Sequence, residues 1–586
     1  MTDYTPPLTD IRFCLQHTAE ISTLGTESDI VSAVLDEAGK LAREVIGPTN
    51  RAGDKFGAKL EDGKVTTAPG FKEAYAAMQQ AGWCGAPFAE NHGGQNLPWP
   101  LCFALQEMWA SANMAFSLCP LLTQGAVETI HQIGTPEQKK LYLEKLTTGE
   151  WTGSMQLTEP QAGSDVGALR LKAVKKGDRY LLSGQKIFIT YGEHDMTPNT
   201  IHMVLGRVEG APAGIKGISL FIVPKFLVNP DGSLGERNDA HAISLEHKLG
   251  IHGSPTAVMS YGDHGGAVGY LVGEENRGIE YMFIMMNAAR LGVGIQGLAI
   301  AERALQQARE YAKTRIQSRA IDDAKGGPVA IIKHPDVRRM LMTMRAYTEA
   351  MRALAYSAGL SLQRGKHENN EAEMLRCDLL TPVVKAWCTD MGVECASLGL
   401  QIHGGMGYIE ETGAAQHYRD ARIACIYEGT NGIQANDLVF RKIARDGGAA
   451  VSALIAEGAK IAADLAVLPG AAAASITQEV SYSLDVLAEA TALMVPMAGK
   501  EPKAAASAAS NYLKLFGAVA GGMLLGQQAA AAIRGQGEAN ADYKFLKAKV
   551  TTAQFYAEQI LPPAVALAQT LKTAGQTTLE LPDDIL

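Results

Sequence analysis

The stretch Tyr427-Glu428-Gly429-Thr430-Asn431-Gly432-Ile433-Gln434 sets a carboxylate between an aromatic residue and a glycine. Apolar residues Ile423, Ala424, Cys425 and Ile426 precede it and suggest burial. A buried carboxylate is costly unless it is paired or used, so Glu428 is a candidate general base. Desolvation by Tyr427 and the apolar run would raise its basicity. The plainer reading is an acidic residue capping the next helix, where the helix dipole favours it.

Four other segments carry groups suited to a ligand. Met155 to Asp165 offers the hydroxyls of Thr158 and Ser164, with Gly163 allowing close backbone approach and Pro160 stiffening the turn. Gly184 to Thr190 reads as a strand in which Phe188 and Thr190 share one side, an aromatic face beside a donor that suits a flat heterocycle. Arg315 closes a helical run and suits a phosphate, or merely complements the helix dipole. In Gln401-Ile402-His403-Gly404-Gly405-Met406-Gly407-Tyr408, three glycines in four positions free backbone N–H groups for a phosphate or a ring. Each has a bland counterpart. Ser and Asp favour turns for local reasons, a half-buried strand packs on helices, and a lone histidine belongs to a core.

The elements that must hold these segments follow from hydrophobic period. Residues 1–35 read as an arm with a short helix around Asp10 to His17. Residues 36–150 carry a helical period, including a stretch from Ser111 to Ile130 with Pro120 inside it. From Trp151 to about 277, short runs broken by Gly, Asp and Pro predict a β domain, a small barrel or sandwich. Residues 278–446 return to long helices, Tyr281 to Thr314, His334 to Gln363 and Glu371 to Leu400, which imply a bundle. After Asp446-Gly447-Gly448, residues 447–586 form an Ala-rich helical domain. Tyr482, Leu487, Leu493, Leu515, Phe516, Phe545 and Phe555 are its expected core. The fold class is therefore α+β, mostly α.

Composition narrows the partners. Of 586 residues, 53 are basic and 62 acidic, a net charge of −9, which argues against a nucleic-acid footprint. An apolar share of 47% with 20% charged residues describes a folded chain of several domains. None of the eight cysteines forms a C-x-x-C pair and no Cys/His spacing fits zinc, so reduced thiols and no metal are expected. Met1 to Ile11 has neither a basic region nor an apolar core, and Leu515 to Leu525 is too short to span a bilayer. A cytoplasmic protein without an integral membrane segment is the expectation.

Taken together and in this order, Thr158-Glu159-Pro160, Gly163-Ser164-Asp165, Phe188-Ile189-Thr190, Gln401 to Gly405 and Tyr427 to Thr430 resemble the acyl-CoA dehydrogenase family over about residues 27 to 445. The resemblance implies a helical, β and helical domain order with FAD between domains and subunits. It implies that Leu157, Thr158, Gly163 and Ser164 face the flavin or the thioester, and that Phe188 and Thr190 lie against the isoalloxazine. Arg315, Gln401, Gly405 and Thr430 would hold the pyrophosphate and adenine side, partly from a neighbouring subunit. Arg290, Tyr427, Gly429 and Ser164 would meet the substrate. Gly125 and the helix around Pro120 would line the acyl pocket. By the same likeness Glu428 removes the α-proton of an acyl-CoA while hydride leaves the β-carbon for flavin N5, giving a trans-2-enoyl-CoA. The backbone N–H of Glu428 and a ribityl hydroxyl would stabilise the thioester oxygen, and an electron-transfer flavoprotein would take the electrons.

There are departures from the family pattern. Phe188 stands where the family often has Trp, and Ile316-Gln317-Ser318-Arg319 replaces Lys-Thr-Phe-Gly. The base position that some branches use beside the entrance arginine is Ala289, which leaves Glu428. The extension past residue 446 and Thr190-Tyr191-Gly192-Glu193-His194-Asp195 look like a long bacterial branch. That branch includes 3-methylmercaptopropionyl-CoA dehydrogenases of dimethylsulfoniopropionate breakdown, alongside fatty acyl-CoA dehydrogenases. The extension would replace one dimer–dimer surface of four-subunit relatives, so a homodimer is expected, with a tetramer as the alternative. An acyl-CoA oxidase releasing peroxide and a non-enzymatic flavin- or acyl-CoA-binding module are the competing readings.

Overall fold

The computed structural model describes residues 3–323 and 325–586, so residues 1 and 2 of the Met1–Ile11 reading lie outside the described residues. The chain forms two compact units, one of residues 38–97 and 112–292, the other of residues 1–37, 98–111 and 293–586.

In the first unit, eight strands build one sheet: β1 (Thr152–Gln156), β2 (Lys172–Lys176), β3 (Arg179–Thr190), β4 (Thr200–Val208), β5 (Ile218–Pro224), β6 (Ala240–Leu245), β7 (Thr256–Tyr261) and β8 (Ala267–Val272). Strand β3 pairs with β2 and β8 through its first half, and β2 also pairs with β4. Because β8, β5 and β4 are neighbours in turn, five strands close on themselves into a small barrel. The second half of β3 instead carries β7 and then β6. Strand β1 joins the outside of β4 in parallel.

Alternation in β4 and β5 explains how both faces are filled. Ile201, Met203, Leu205, Ile218, Leu220 and Ile222 pack towards the helices, against Leu122, Ala126 and Ile130. Val204, Phe221 and Val223 point the other way, onto Tyr180, Leu182 and Met259. Gly153 lets β1 lie directly on the helix Met114–Ile133, since a Cβ there would sit 2.5 Å from that of Ala126.

That helix differs from the sequence expectation. The run from Ser111 to Ile130 is not one helix: it breaks at Asn113, whose extended backbone and side chain cap Met114–Ile133 by accepting from the Phe116 N–H at 3.1 Å. Asn113 also donates to Thr49 Oγ1 at 2.8 Å. Periodicity continued through the break because both segments are apolar all round. Pro120 is tolerated inside the second segment.

The second unit is helical. Its bundle contains the second part of Gly278–Thr314, then Pro335–His367 and Glu371–His403, and its extension contains Ala449–Ala466, Ala471–Lys500, Pro502–Gly535 and Tyr543–Phe555. Gly517 of Pro502–Gly535 seats against Trp387 of Glu371–His403, where a Cβ would come within 2.3 Å of the indole. A buried ion cluster adds to this. Arg352 binds Glu107 at 2.5 Å, Glu302 at 2.8 Å and Asp10, while Lys549 binds Asp10 and Glu349 at 2.7 Å each. The cluster joins the N-terminal helix Leu8–His17, the bundle and the extension through one set of charges. Leu487, Leu515 and Phe516 are core residues as expected, but Tyr482 is 56% exposed, because its helix Ala471–Lys500 turns that side to solvent.

The apolar run Leu515 to Leu525 belongs to the 34-residue helix Pro502–Gly535. This helix and Gly278–Thr314 are long and apolar enough to cross a membrane, yet 83% and 72% of their apolar windows are buried inside the protein. Both behave as core helices. Among the described residues no group of His, Cys, Asp or Glu is arranged to hold a metal.

Candidate active site

In the helical unit, the chain leaves the helix Ala414–Arg422 through one 3-10 turn, Ile423–Cys425, and reverses at Glu428 and Gly429. Both residues adopt left-handed backbone, with φ of 56° and 86°. For glycine this is free, but for glutamate it costs about 1–2 kcal/mol. Such strain persists only where surrounding contacts impose it, and it concentrates at functional positions.

The contacts are specific. Gln434 Nε2 donates to the Glu428 carbonyl at 3.2 Å. Lys385 Nζ donates to the Gly429 carbonyl at 2.7 Å and to Asn431 Oδ1 at 2.8 Å. Asn431 Nδ2 in turn donates to Ala386 O, Thr389 Oγ1 and Asp390 Oδ1 at 3.1, 3.0 and 2.7 Å. The Tyr427 hydroxyl donates to Gln296 Oε1. Burial, and after it the charge of Glu428, push the Tyr427 phenol well above its ordinary range, so it stays a neutral donor.

Two expectations about this stretch need correction. Glu428 does not cap the following helix; Thr430 does, its hydroxyl accepting from the Ile433 N–H at 3.4 Å. Nor is the preceding run uniformly buried. Ala424 is enclosed, but Ile426 is 47% exposed and Glu428 itself is half-buried, since the 3-10 turn rotates successive side chains outwards.

Arg315 is exposed just past the end of Gly278–Thr314, and its carbonyl accepts from the Ile331 N–H at 2.8 Å. The atypical segment after it forms a short strand, Ile316–Arg319, paired with Pro328–Ala330. Gln401 is exposed on the last turn of Glu371–His403. The three glycines that follow have separate reasons. Gly404 takes φ 59° to end the helix, and Gly407 packs so closely that a Cβ would meet the Leu400 carbonyl at 2.4 Å. At Gly405 a Cβ would meet nothing within 4 Å and φ is ordinary, so no contact within the chain calls for glycine there. His403 stacks on Tyr311 at 4.4 Å and binds the Gly399 carbonyl through Nδ1 at 2.7 Å, a core histidine.

In the β unit, β1 runs out at Gln156 into Leu157 and Thr158. A buried ion pair supports this exit: Lys186 Nζ donates to the Leu157 carbonyl at 2.9 Å and to Glu159 Oε1 at 2.8 Å. Glu159 also accepts from the N–H groups of Arg170 and Leu171 at 2.6 and 3.0 Å. Burial pulls Lys186 down to about 8 against the pull of Glu159. Burial acts to raise Glu159, but Lys186 and the two N–H groups outweigh it and hold the carboxyl below its usual range. The pair is therefore ionised at neutral pH.

Beside it, β3 departs from the simple alternation expected for Lys186 to Thr190. Between the pairs Lys186–Met259 and Ile189–Ala257, β3 advances three residues and β7 two. This bulge puts Phe188 at φ 59° and leaves its ring 59% exposed, while Ile189 is buried and Thr190 half-buried. Gly163 faces open space and Ser164 is exposed, whereas Asp165 has a local task, accepting from the Gly167 N–H at 3.0 Å. Arg290 is buried, 3.4 Å from Asn287 Oδ1 and 5.7 Å from the Phe283 ring centre. Ala289 is buried and without a titratable group. Gly125 presses on Met285, where a Cβ would lie 2.7 Å from Cγ.

Each unit by itself carries features that suit part of a flavin dinucleotide. An aromatic ring displayed on a strained bulge, with Thr158 and Thr190 in adjoining segments, suits a planar heterocycle. An exposed Arg315 and the unhindered backbone at Gly405 suit a pyrophosphate. Residue types alone did not single out Lys385, Gln434, Gln296 and Asn431. The available signal was a lone lysine in the apolar run Leu379 to Cys388, which implies a buried ammonium with a task.

The chain matches "Acyl-CoA dehydrogenase, N-terminal domain" over residues 32–150, the middle domain over 154–263 and the C-terminal domain over 276–442. Residues 450–582 match "Acetyl-CoA dehydrogenase C-terminal like". It is 46% identical to 3-methylmercaptopropionyl-CoA dehydrogenase of Ruegeria pomeroyi, covering 98% of this chain and 99% of that protein. A butyryl-CoA dehydrogenase of Syntrophomonas wolfei is 34% identical, with 95% and 93% covered. The crystal structure of an acyl-CoA dehydrogenase complexed with FAD from Bacillus anthracis shares the fold, with a TM-score of 0.75 over 96% of this chain and 90% of that one at 21% identity. This chain belongs to the acyl-CoA dehydrogenase family, the FAD-dependent oxidoreductases that convert an acyl-CoA thioester to its α,β-enoyl product.

Proposed function

We propose that Glu428 is the base of this reaction and that the acyl group is 3-methylmercaptopropionyl. The strained Tyr427–Thr430 turn supports the first reading, and the near-full-length likeness to the Ruegeria pomeroyi enzyme supports the second. The α-proton of a thioester is weakly acidic, so its removal needs a carboxylate held close and in one orientation. Gln434 and Lys385 hold the two carbonyls of the turn, and Tyr427, kept protonated, offers no competing base. When bound, FAD supplies the acceptor for the β-hydride. In the β unit, Phe188, Thr190, Leu157, Thr158, Gly163 and Ser164 are the residues proposed to seat its ring. In the helical unit, Arg315, Gln401, Gly405 and Thr430 are proposed for the pyrophosphate and adenine side. Arg290, Ser164, Tyr427 and Gly429 are proposed to meet the substrate.

Electron-transfer flavoprotein is the proposed oxidant of the reduced enzyme, and the cytoplasm its compartment, in keeping with eight unbridged thiols. A homodimer is proposed, with Met406, Tyr408 and Ile409 as exposed apolar residues for a second copy to cover. Domain limits at about residues 35, 150, 277 and 446 are proposed from composition and period.

Anaerobic flavin bleaching against a panel of acyl-CoAs tests the substrate. The expected result is the highest kcat/KM for 3-methylmercaptopropionyl-CoA. A tenfold or greater preference for butyryl-CoA would overturn the 3-methylmercaptopropionyl assignment in favour of a butyryl substrate, as named for the Syntrophomonas relative. Peroxide released in step with turnover under air would point to an oxidase instead, and a clean tetramer mass on gel filtration would overturn the dimer.

A further inference from the structure

We propose that Lys385 is a positioning residue for the base: from within the helix Glu371–His403 it holds the backbone turn that aims the Glu428 carboxylate. The proposal rests on the reading of Glu428 as base.

Lys385 is completely buried, among Val383, Val384, Ala386, Trp387 and Cys388 on its own helix. An ammonium in such surroundings is unfavourable unless strong acceptors replace water, and an apolar side chain of equal length would pack there without that cost. It donates to the Gly429 carbonyl and to Asn431 Oδ1, at 2.7 and 2.8 Å. These two atoms belong to residues one and three positions after Glu428. Asn431 cannot drift, since its own amide is tied to Ala386 O, Thr389 Oγ1 and Asp390 Oδ1 on the same helix as Lys385. On the other side, Gln434 Nε2 takes the Glu428 carbonyl at 3.2 Å. Two successive carbonyls are thus held by two side chains from two different helices, which fixes the two peptide planes on either side of Gly429. These planes follow the left-handed φ of Glu428 and flank that of Gly429. Without its anchors the glutamate would relax to ordinary backbone, and the carboxylate would swing with it.

The substitution Lys385→Met keeps length and packing and removes the donor. Its limiting rate of anaerobic flavin bleaching is expected to fall about 10- to 100-fold, the loss that a displacement of about 1 Å causes. FAD content, and affinity for a non-reactive thioether analogue of the acyl-CoA, are expected to stay within twofold of wild type. On a Glu428→Gln background the same substitution is expected to add nothing. A Lys385→Met rate within twofold of wild type overturns the proposal, as does an equal loss on the Glu428→Gln background or a parallel loss of analogue affinity. If Lys385→Met does not fold, Gln434→Met, which frees only the Glu428 carbonyl, gives the same test with a smaller expected drop. Should Glu428→Gln alone bleach at the wild-type rate, it is the assignment of the base that fails, whatever Lys385→Met does.

Discussion

The Glu428 turn in the helical unit and the Phe188 bulge in the β unit solve one problem in two ways. Each displays a non-glycine side chain on left-handed backbone, φ 56° and 59°, and each has nearby a fully buried lysine that donates to a main-chain carbonyl, Leu157 for Lys186 and Gly429 for Lys385. Lys186 is neutralised by Glu159 in an ion pair, with two backbone N–H groups completing the carboxylate. Lys385 is bonded instead to the neutral oxygens of Gly429 and Asn431. An ion pair secures a rigid strand exit and its partner carboxylate is used up in doing so. Two neutral acceptors, by contrast, secure the turn that presents the glutamate.

The largest expected effect separates display from chemistry. Glu428→Gln keeps the turn and removes the base, and its bleaching rate should fall about 10²- to 10⁴-fold with little change in FAD content. Next, Lys186→Met should leave Glu159 as an uncompensated buried charge. A loss of about 3–5 kcal/mol is expected in denaturant unfolding of the apoprotein, larger than for Lys385→Met, because Lys186 balances the buried Glu159 carboxylate. Equal losses would collapse the distinction between the two lysines.

The β unit should also be acid-sensitive. His194 and His202 are buried, bonded to Thr152 Oγ1 and Ser154 Oγ at 2.8 Å each, and burial lowers both to about 3. Their folded values lie below the unfolded value of about 6.5, so the unfolded chain binds more protons between the two. The stability they confer is complete above about pH 6.5 and is lost as pH falls towards about 3, at about 1.4 kcal/mol per pH unit for each histidine. Urea midpoints measured between pH 8 and pH 5 should fall for wild type and fall less for His202→Asn. The smallest effect concerns strain itself. Phe188→Gly and Glu428→Gly should each be more stable than the corresponding alanine variant by about 1 kcal/mol, since only glycine adopts these angles freely. A reversed order at either position would mean that its backbone is not strained.

How much was legible in the sequence differs between these regions. The glutamate, the glycine after it and the threonine that starts the next helix follow from adjacent residues, and the order of five short segments was enough to indicate the family. The bulge was not legible, because a strand written Lys186-Ile187-Phe188-Ile189-Thr190 alternates cleanly on paper, and only pairing with β7 inserts the extra residue. The break at Asn113 was missed for a related reason: two consecutive apolar helices share one period, and a capping asparagine inside it carries little signal. Gly404, Gly405 and Gly407 look alike in sequence, yet one ends a helix, one is packed and one faces open space.

The sequence by itself determined which groups are available and in what chain order, hence the reaction class and the candidate base. Local chemistry suffices for that, because a carboxylate, a glycine and a capping hydroxyl act within a few residues of one another. Only the tertiary structure decided how the carboxylate is held. The lysine that holds it lies 44 residues before the carbonyl it binds, and a hydrogen bond over that separation exists only once the helices have packed.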